Sequence, residues 1–227
     1  MEDKKIKLCI FDLAGTLVQD KNYVRKIFIQ AFKKYDIVVT AEVVDRWMGF
    51  EKKLAIDSIL NEINVKGRKK LVTTIHHTFT HMMNEYYSHH VKSIAYAEAT
   101  LKKLKAKGLK LAVNTGFGKE TLHLILESLG WYGYLDAYIS SDQVVAGRPH
   151  PYMINYIKKT AKISDPSQIA KIGDTPSDLL EGQRSKCGLN IGICSRNFPL
   201  EEMKKYPHTH LVNNLREAAD IILAHTA

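Results

Sequence analysis

Four short segments carry side chains able to do chemistry together. In KLCIFDLAGTLV, residues 7–18, an apolar run ends on Asp12, with Ala14, Gly15 and Thr16 directly behind it. NTGFG at 114–118 sets the Thr115 hydroxyl beside Gly116, GRPHP at 147–151 supplies Arg148, and GDTPSD at 173–178 supplies Asp174 and Asp178. Asp12 and Asp174 are carboxylates suited to a hard cation. Magnesium fits, because it is usually held by one or two carboxylates plus substrate phosphate oxygens. Thr115 offers a hydroxyl donor, and backbone N–H groups after Asp12 and Thr115 can cup an anion. Arg148 can neutralise and orient a phosphoryl group through paired N–H donors. A carboxylate facing a phosphoryl group clamped in this way can act as its nucleophile. Each segment alone also has an ordinary reading. Thr115 can be a strand-end hydroxyl, and GDTPSD can be a turn in which Asp174 or Thr175 caps a helix with Pro176 in its first turn. Asp178 can simply favour that helix N-terminus.

Such groups need rigid strand ends to hold them. The apolar runs KLCIF (7–11), LKLAVNT (109–115), QIAKIG (168–173) and LNIGIC (189–194) read as strands buried on both faces. LDAYISS (135–141) makes a weaker fifth, and THLVN (209–213) a short terminal one. Helical patterns lie between them at about 97–107, 118–130, 151–163, 176–186 and 214–224, with Gly108, Gly130 and Gly188 as closing glycines for three of them. Strand alternating with helix predicts a doubly wound, Rossmann-like parallel α/β sheet, whose ligands bind beyond the carboxyl ends of the strands. Residues 18–92 break the alternation, with helical periodicity and almost no strand signal. They predict an all-α domain inserted after the first strand, with hinges near 17–20 and 91–95. Residues 1–17 and 93–227 then form the α/β core.

Composition narrows the function classes. The 227 residues are 45% hydrophobic, enough for a core and too many for a disordered chain. Cys9, Cys187 and Cys194 are too few, and too apolar in setting, for a disulfide framework. No apolar run approaches the ~20 residues of a membrane span, and the first residues lack the apolar core of a signal peptide. A cytoplasmic protein with no membrane partner is expected. The net charge of +9 is spread over many helices, with KGRKK at 66–70 as the one dense basic run and no nucleic-acid-binding motif beside it. A small anionic substrate, rather than nucleic acid, is the expected partner.

The four segments, in this order and each at a predicted strand end, resemble the haloacid-dehalogenase-like (HAD) superfamily, and the resemblance spans the whole chain with a helical cap inserted after the first motif. It implies a HAD-like fold and a hydrolase in which Asp12 is the nucleophile that becomes an aspartyl-phosphate. It also implies that Thr115 and Arg148, with the 14–16 and 115–116 loops, bind the phosphoryl group. Mg2+ would then be held by Asp12, the Ala14 carbonyl and Asp174, with Asp178 in support.

HAD phosphatases carry a second aspartate where this chain has Ala14. That aspartate protonates the leaving alkoxide, and such help is worth ~10²–10⁴ in rate. The phosphonatase-like branch shares the DxAGT and GRPxP patterns, and MGFEK at 48–52 matches its MGxxK pattern. This implies that Lys52 forms an imine and that cleavage is of the phosphonoacetaldehyde C–P type, with no alkoxide to protonate. Lys53 is expected to help keep the Lys52 amine neutral. The chain departs from the branch at Ala55, where a histidine is usual, at Phe117, where tyrosine is usual, and in VQDKNYV, which lacks a cysteine. The alternatives are a phosphatase of small phosphate monoesters, of the phosphoglycolate-phosphatase type, or a weakly catalytic phospho-ligand binder. Elsewhere, His77 and His81 stand one helical turn apart, a metal-compatible spacing that packed or exposed helix histidines explain equally. His89, His90 and His150 are outlying candidates, and Trp47 and Met48 can line the crevice or anchor the cap core.

Overall fold

The computed structural model describes residues 5–226, so residues 1–4 and 227 of the expected core lie outside the described residues. The chain begins with β1 (Leu8–Phe11) and passes into four helices, α1 (Tyr23–Lys33), α2 (Ala41–Asp45), α3 (Lys52–Glu62) and α4 (Arg68–His89). Alternation follows: α5 (Ala97–Ala106), β2 (Lys110–Thr115), α6 (Lys119–Leu129), β3 (Ala137–Ser140), α7 (Tyr152–Thr160), β4 (Ile169–Gly173), α8 (Pro176–Arg184) and β5 (Leu189–Ile193). The chain closes with α9 (Leu200–Met203), β6 (His210–Val212) and α10 (Leu215–Ala224). The six strands form one parallel sheet in the order β3-β2-β1-β4-β5-β6, the doubly wound fold that the sequence predicts.

Period-two alternation divides each central strand between two apolar layers. Cys9 and Phe11 of β1 pack with α5, α6 and α10, whereas Leu8 and Ile10 pack with α7. Register then decides where the strand ends fall. Phe11 is level with Val113 on one side and Ile172 on the other, and Asp12 N–H donates to the Ile172 carbonyl at 2.9 Å. Asp12, Thr115 and Asp174 therefore emerge within a residue or two of one another at the carboxyl edge. The crevice lies where β1 meets β2 and β4, the point at which the winding reverses.

The four inserted helices fold around α4, whose Phe79 ring lies 4.5 Å from that of Phe28 on α1. Their apolar interior is continuous with the α5–α6–α10 side of the sheet. Asn84 on α4 ties the insertion to α6, donating to Glu120 at 3.0 Å and accepting from the Thr121 hydroxyl at 2.5 Å. The two connecting segments pair with each other. Gln19 N–H reaches the Lys92 carbonyl, and Ile94 N–H reaches that of Leu17, both at 2.9 Å.

Gly130 closes α6 with φ 66°, as the sequence predicts. Gly188 does not close α8. Lys186 takes the left-handed conformation there, with φ 56°, and Gly188 answers a different constraint. A Cβ on Gly188 would lie 1.9 Å from the Ser167 carbonyl oxygen, a backbone atom that cannot swing aside. Gly188→Ala should therefore cost roughly 1–3 kcal/mol in urea unfolding. Gly133→Ala, at a position with open space around it, should stay within about 0.5 kcal/mol of wild type.

Candidate active site

The carboxyl edge of the sheet gathers three buried aspartates. One carboxylate oxygen each from Asp12, Asp174 and Asp178 lie within 4.8 Å of one another. Local geometry fixes each group. Asp12 ends the rigid β1 ladder. Asp174 accepts from the Thr16 hydroxyl at 2.9 Å, and Gly15 passes so close that a Cβ there would lie 2.1 Å from an Asp174 oxygen. The φ of +94° at Gly15 is a second reason for glycine. Asp178 belongs to the first turn of α8, where Thr175 is the N-cap and Pro176 the first helical residue. Its Oδ2 accepts from the Thr175 hydroxyl at 2.6 Å and the Thr175 N–H at 3.3 Å, a reciprocal cap.

A second layer of charge stands behind the aspartates. The Arg148 guanidinium is fully buried and forks between Asp12 and Asp178. Lys171, inside β4, reaches Asp178 at 2.8 Å, Glu181 at 3.5 Å and the Asn114 side-chain oxygen at 2.8 Å. Asn114 donates in turn to both Glu181 oxygens, at 2.9 and 2.8 Å. Burial pushes the Asp12 and Asp174 carboxyls above the usual range, with Arg148 opposing at Asp12 and the two neighbouring aspartates adding at Asp174. Burial acts the same way on Asp178, but Arg148 and Lys171 outweigh it and hold this carboxyl low. Four buried carboxyl groups (Asp12, Asp174, Asp178, Glu181) thus stand among two buried basic side chains, Arg148 and Lys171, so acidic groups outnumber basic ones two to one. That imbalance, on hard oxygen donors, fits a divalent cation such as Mg2+.

The insertion supplies the roof. Its 48–52 strap lies across the strand ends, and Lys52, first residue of α3, is only 5% exposed. Lys52 lines the same narrow cavity, of about 40 Å³, as Asp12, Thr115, Arg148 and Asp174. Its Nζ lies 3.2 Å from the Phe50 carbonyl and 5.6 and 5.5 Å from the Phe28 and Phe117 ring centres. Burial first, and Arg148 second, pull its amine down to about 8, against Asp12, Asp20 and Asp178, which favour the proton. Thr115 Oγ1 accepts from the Phe117 N–H at 3.2 Å, which leaves its own proton to donate.

With that geometry in view, known proteins fall into place around it. Residues 9–190 match the family model of haloacid dehalogenase-like hydrolases. The chain belongs to this family. Its sequence is 29% identical to a phosphonoacetaldehyde hydrolase of Bacteroides fragilis over 97% of this chain and 90% of that one. It is 30% identical to a bifunctional phosphonoacetaldehyde hydrolase/aminoethylphosphonate transaminase of Clostridioides difficile, over 79% of this chain and 30% of that one. The fold is similar to that of a phosphonoacetaldehyde hydrolase-like protein from Oleispira antarctica, with TM-score 0.87, 19% identity, and 98% and 93% of the two chains covered. A hydrolase from Pseudomonas syringae superposes with TM-score 0.88 at 18% identity, covering 97% of this chain and 100% of that one.

Among haloacid dehalogenase-like residues expected from the sequence, Asp12, Ala14, Lys52, Thr115, Gly116, Arg148 and Asp174 all line the one cavity. Gly15 and Thr16 pack against Asp174, and the Gly15 N–H donates to the Val18 carbonyl at 2.8 Å. Lys53 is exposed and is not the cation that acts on Lys52; Arg148 is. His77 and His81 are exposed, and the aspartate trio is the one metal-compatible group found among the described residues. His90 stacks on Tyr86 at 4.9 Å and His150 on Tyr152 at 6.0 Å, while His89 is exposed, and none of the three lines the cavity. Met48 lines it; Trp47 packs on Phe50 at 5.3 Å and points its N–H at Glu62. Ala55, where the branch has histidine, is wholly buried.

Sequence reasoning missed Lys171, Glu181, Asn114 and Asp20. Three had a visible signal. Lys171 interrupts an otherwise apolar buried strand, Asn114 directly precedes Thr115, and Glu181 is one helical turn after Asp178 on the same face of α8. Asp20 had none; the fold of the connecting segment brings it to the cavity beside Lys52.

Two outcomes follow from these charges. Mg2+ should raise the melting temperature, with about 2.7 kcal/mol of stabilisation at a hundredfold excess over Kd, and Asp174→Asn should abolish that gain. Lys52 holds its proton less tightly folded, at about 8, than at its ordinary value of 10.5. Between those pH values the unfolded chain binds more protons, so stability rises with pH. Relative to Lys52→Met, wild type should gain up to about 3 kcal/mol across that window in urea unfolding.

Proposed function

We propose that this hydrolase transfers a phosphoryl group from a small phosphonate aldehyde to Asp12, with Lys52 as imine-forming residue and C–P cleavage as the chemistry. The observation that carries the reading is the Lys52 amine itself. It is buried between two aromatic rings, lowered to about 8, and shares one cavity with Asp12, Thr115 and Arg148. A lysine desolvated in this way keeps a useful fraction of free amine near neutral pH, as nucleophilic attack requires. The phosphonoacetaldehyde hydrolases among its relatives support the same reading.

The steps balance without an oxidant. Lys52 Nζ adds to the aldehyde carbon, and loss of water leaves a protonated imine. A carboxylate oxygen of Asp12 then attacks phosphorus, and the C–P electron pair moves into the imine to give an enamine. Protonation at carbon and hydrolysis free Lys52 and release acetaldehyde, while water cleaves the aspartyl-phosphate. Thr115 and Arg148 orient the phosphoryl oxygens throughout. Asp12, Asp174 and the Ala14 carbonyl, with Asp178 in support, would hold Mg2+, which supplies charge neutralisation on those oxygens. Since the leaving group is a carbon whose electrons the imine accepts, Ala14 is no handicap.

Hydrolysis of small phosphate monoesters is the second reading. The observation favouring it is Ala55, which leaves no imidazole one turn from Lys52 to move protons during imine chemistry.

The test is phosphate release from phosphonoacetaldehyde with Mg2+, together with borohydride reduction and peptide mapping. We expect release, a reduced adduct on Lys52, and loss of both in Lys52→Ala. Trapping should slow about tenfold per pH unit below 8, because the ammonium form cannot attack. Release from monoesters without an adduct, unaffected by Lys52→Ala and raised ~10²–10⁴-fold by Ala14→Asp, would overturn the reading in favour of the second.

A further inference from the structure

The residue before Lys52 joins it to the opposite side of the site. Glu51 is the N-cap of α3, yet its side chain does not cap its own helix. Its Oε2 accepts from the Gly147 N–H at 3.0 Å, and its own N–H donates to the Arg148 carbonyl at 3.3 Å. Two consecutive residues of the insertion, Glu51 and Lys52, thus face two consecutive residues of the core loop, Gly147 and Arg148. The approach is tight, since a Cβ on Gly147 would lie 2.8 Å from Glu51 Cβ and 2.8 Å from Ser141 Cβ. The rest of the strap is seated as closely. A Cβ on Gly116 would meet the Phe50 carbonyl at 2.9 Å, and one on Gly49 the Thr175 hydroxyl at 2.2 Å. Of these contacts, the Glu51 bond is the one made by a charged side chain, and a carboxylate accepting from a backbone N–H bonds more strongly than a neutral pair.

We propose that Glu51 is a positioning residue, whose carboxylate, bonded to the Gly147 N–H, seats the strap so that Lys52 enters the cavity formed by Asp12, Thr115 and Arg148. This rests on the reading of Lys52 as the imine-forming residue. Glu51 itself touches no reacting atom. It acts by fixing the first turn of α3 against the loop that carries Arg148, so that the amine and the guanidinium are set in register by adjacent peptide units. The groups around the amine come from every side of the cavity: Arg148 from the core loop, Asp12 and Asp178 from the sheet edge, Asp20 from the connecting segment, and the Phe28 and Phe117 rings. Unseating the strap withdraws Lys52 from the core groups, Arg148, Asp12, Asp178 and Phe117, together.

The experiment compares wild type with Glu51→Ala and Glu51→Gln, reading borohydride trapping of Lys52 by phosphonoacetaldehyde, kcat and KM for phosphate release, and inhibition by inorganic phosphate. We expect Glu51→Ala to slow trapping and lower kcat by the same factor, about 10- to 100-fold for a lost bond to a charged acceptor. Glu51→Gln keeps an acceptor oxygen and should recover most of that loss. Phosphate inhibition depends on core residues and should stay within about twofold, a split that general damage to the site would not give. Trapping in Glu51→Ala at the wild-type rate would overturn the proposal, as would equal impairment of the glutamine variant or a parallel loss of phosphate binding. Absence of trapping in wild type would defeat the Lys52 reading, and the proposal with it. Normal wild-type trapping with an unaltered Glu51→Ala would defeat the proposal alone.

Discussion

The fork of Arg148 between Asp12 and Asp178 is the interaction on which the rest of the site depends. A guanidinium with almost no exposure is tolerable only where anions surround it, and Asp12, Asp178 and Glu181 together hold its proton against the cost of burial. The dependence runs both ways. Arg148 and Lys171 in turn hold the Asp178 carboxyl low against the upward push of burial. A network this densely paired allows little freedom in where Asp12 points. Asp12 and Asp174 lie at the open end, lining the cavity where a cation and an anionic substrate would meet. Rigid support behind such oxygen donors is what electrostatic preorganisation requires.

The site is nonetheless built from two parts of the chain with different origins in sequence. The sheet supplies one side of the cavity, with Asp12, Thr115 and Asp174, through three strand ends whose register is fixed by backbone ladders. The insertion supplies the amine side through a strap held by close glycine contacts. Lys52 owes its character to the meeting of the two. On an isolated α3 it would be an exposed helix-start lysine with an ordinary pKa; with the strap seated on the strand ends it is desolvated and faces Arg148.

Much of this was legible in the sequence, for physical reasons. Buried parallel strands are short apolar runs, so β1 to β6 were found within a residue or two. The groups at their carboxyl ends, Asp12, Thr115 and Asp174, followed because open α/β sheets bind ligands there. Less legible were groups whose partners are remote. Lys171 interrupts the apolar run of β4, and the groups that explain it, Asp178, Glu181 and Asn114, come from other elements. Gly188 resembled a helix stop because glycine commonly is one; the Ser167 carbonyl pressing on it is a tertiary contact with no local signature. Gly15 and Thr16 lie close to Asp12 in sequence, and the turn that folds them against Asp174 makes a tertiary contact that spacing alone does not encode.

The paired connecting segments carry a consequence for how such a protein can diversify. Because residues 17–19 and 92–94 are hydrogen-bonded to each other, the insertion leaves and re-enters the sheet at a single point. Its ends are already as close as the ends of a hairpin. Exchanging the whole insertion for another of different length would leave the strand order, the ladder register and the buried charge cluster as they are. The demand on a replacement is that it cover the face of α6 on which α4 now rests, and that it offer a strap to the strand ends. The two sides of the cavity are thereby separable inheritances within one continuous chain.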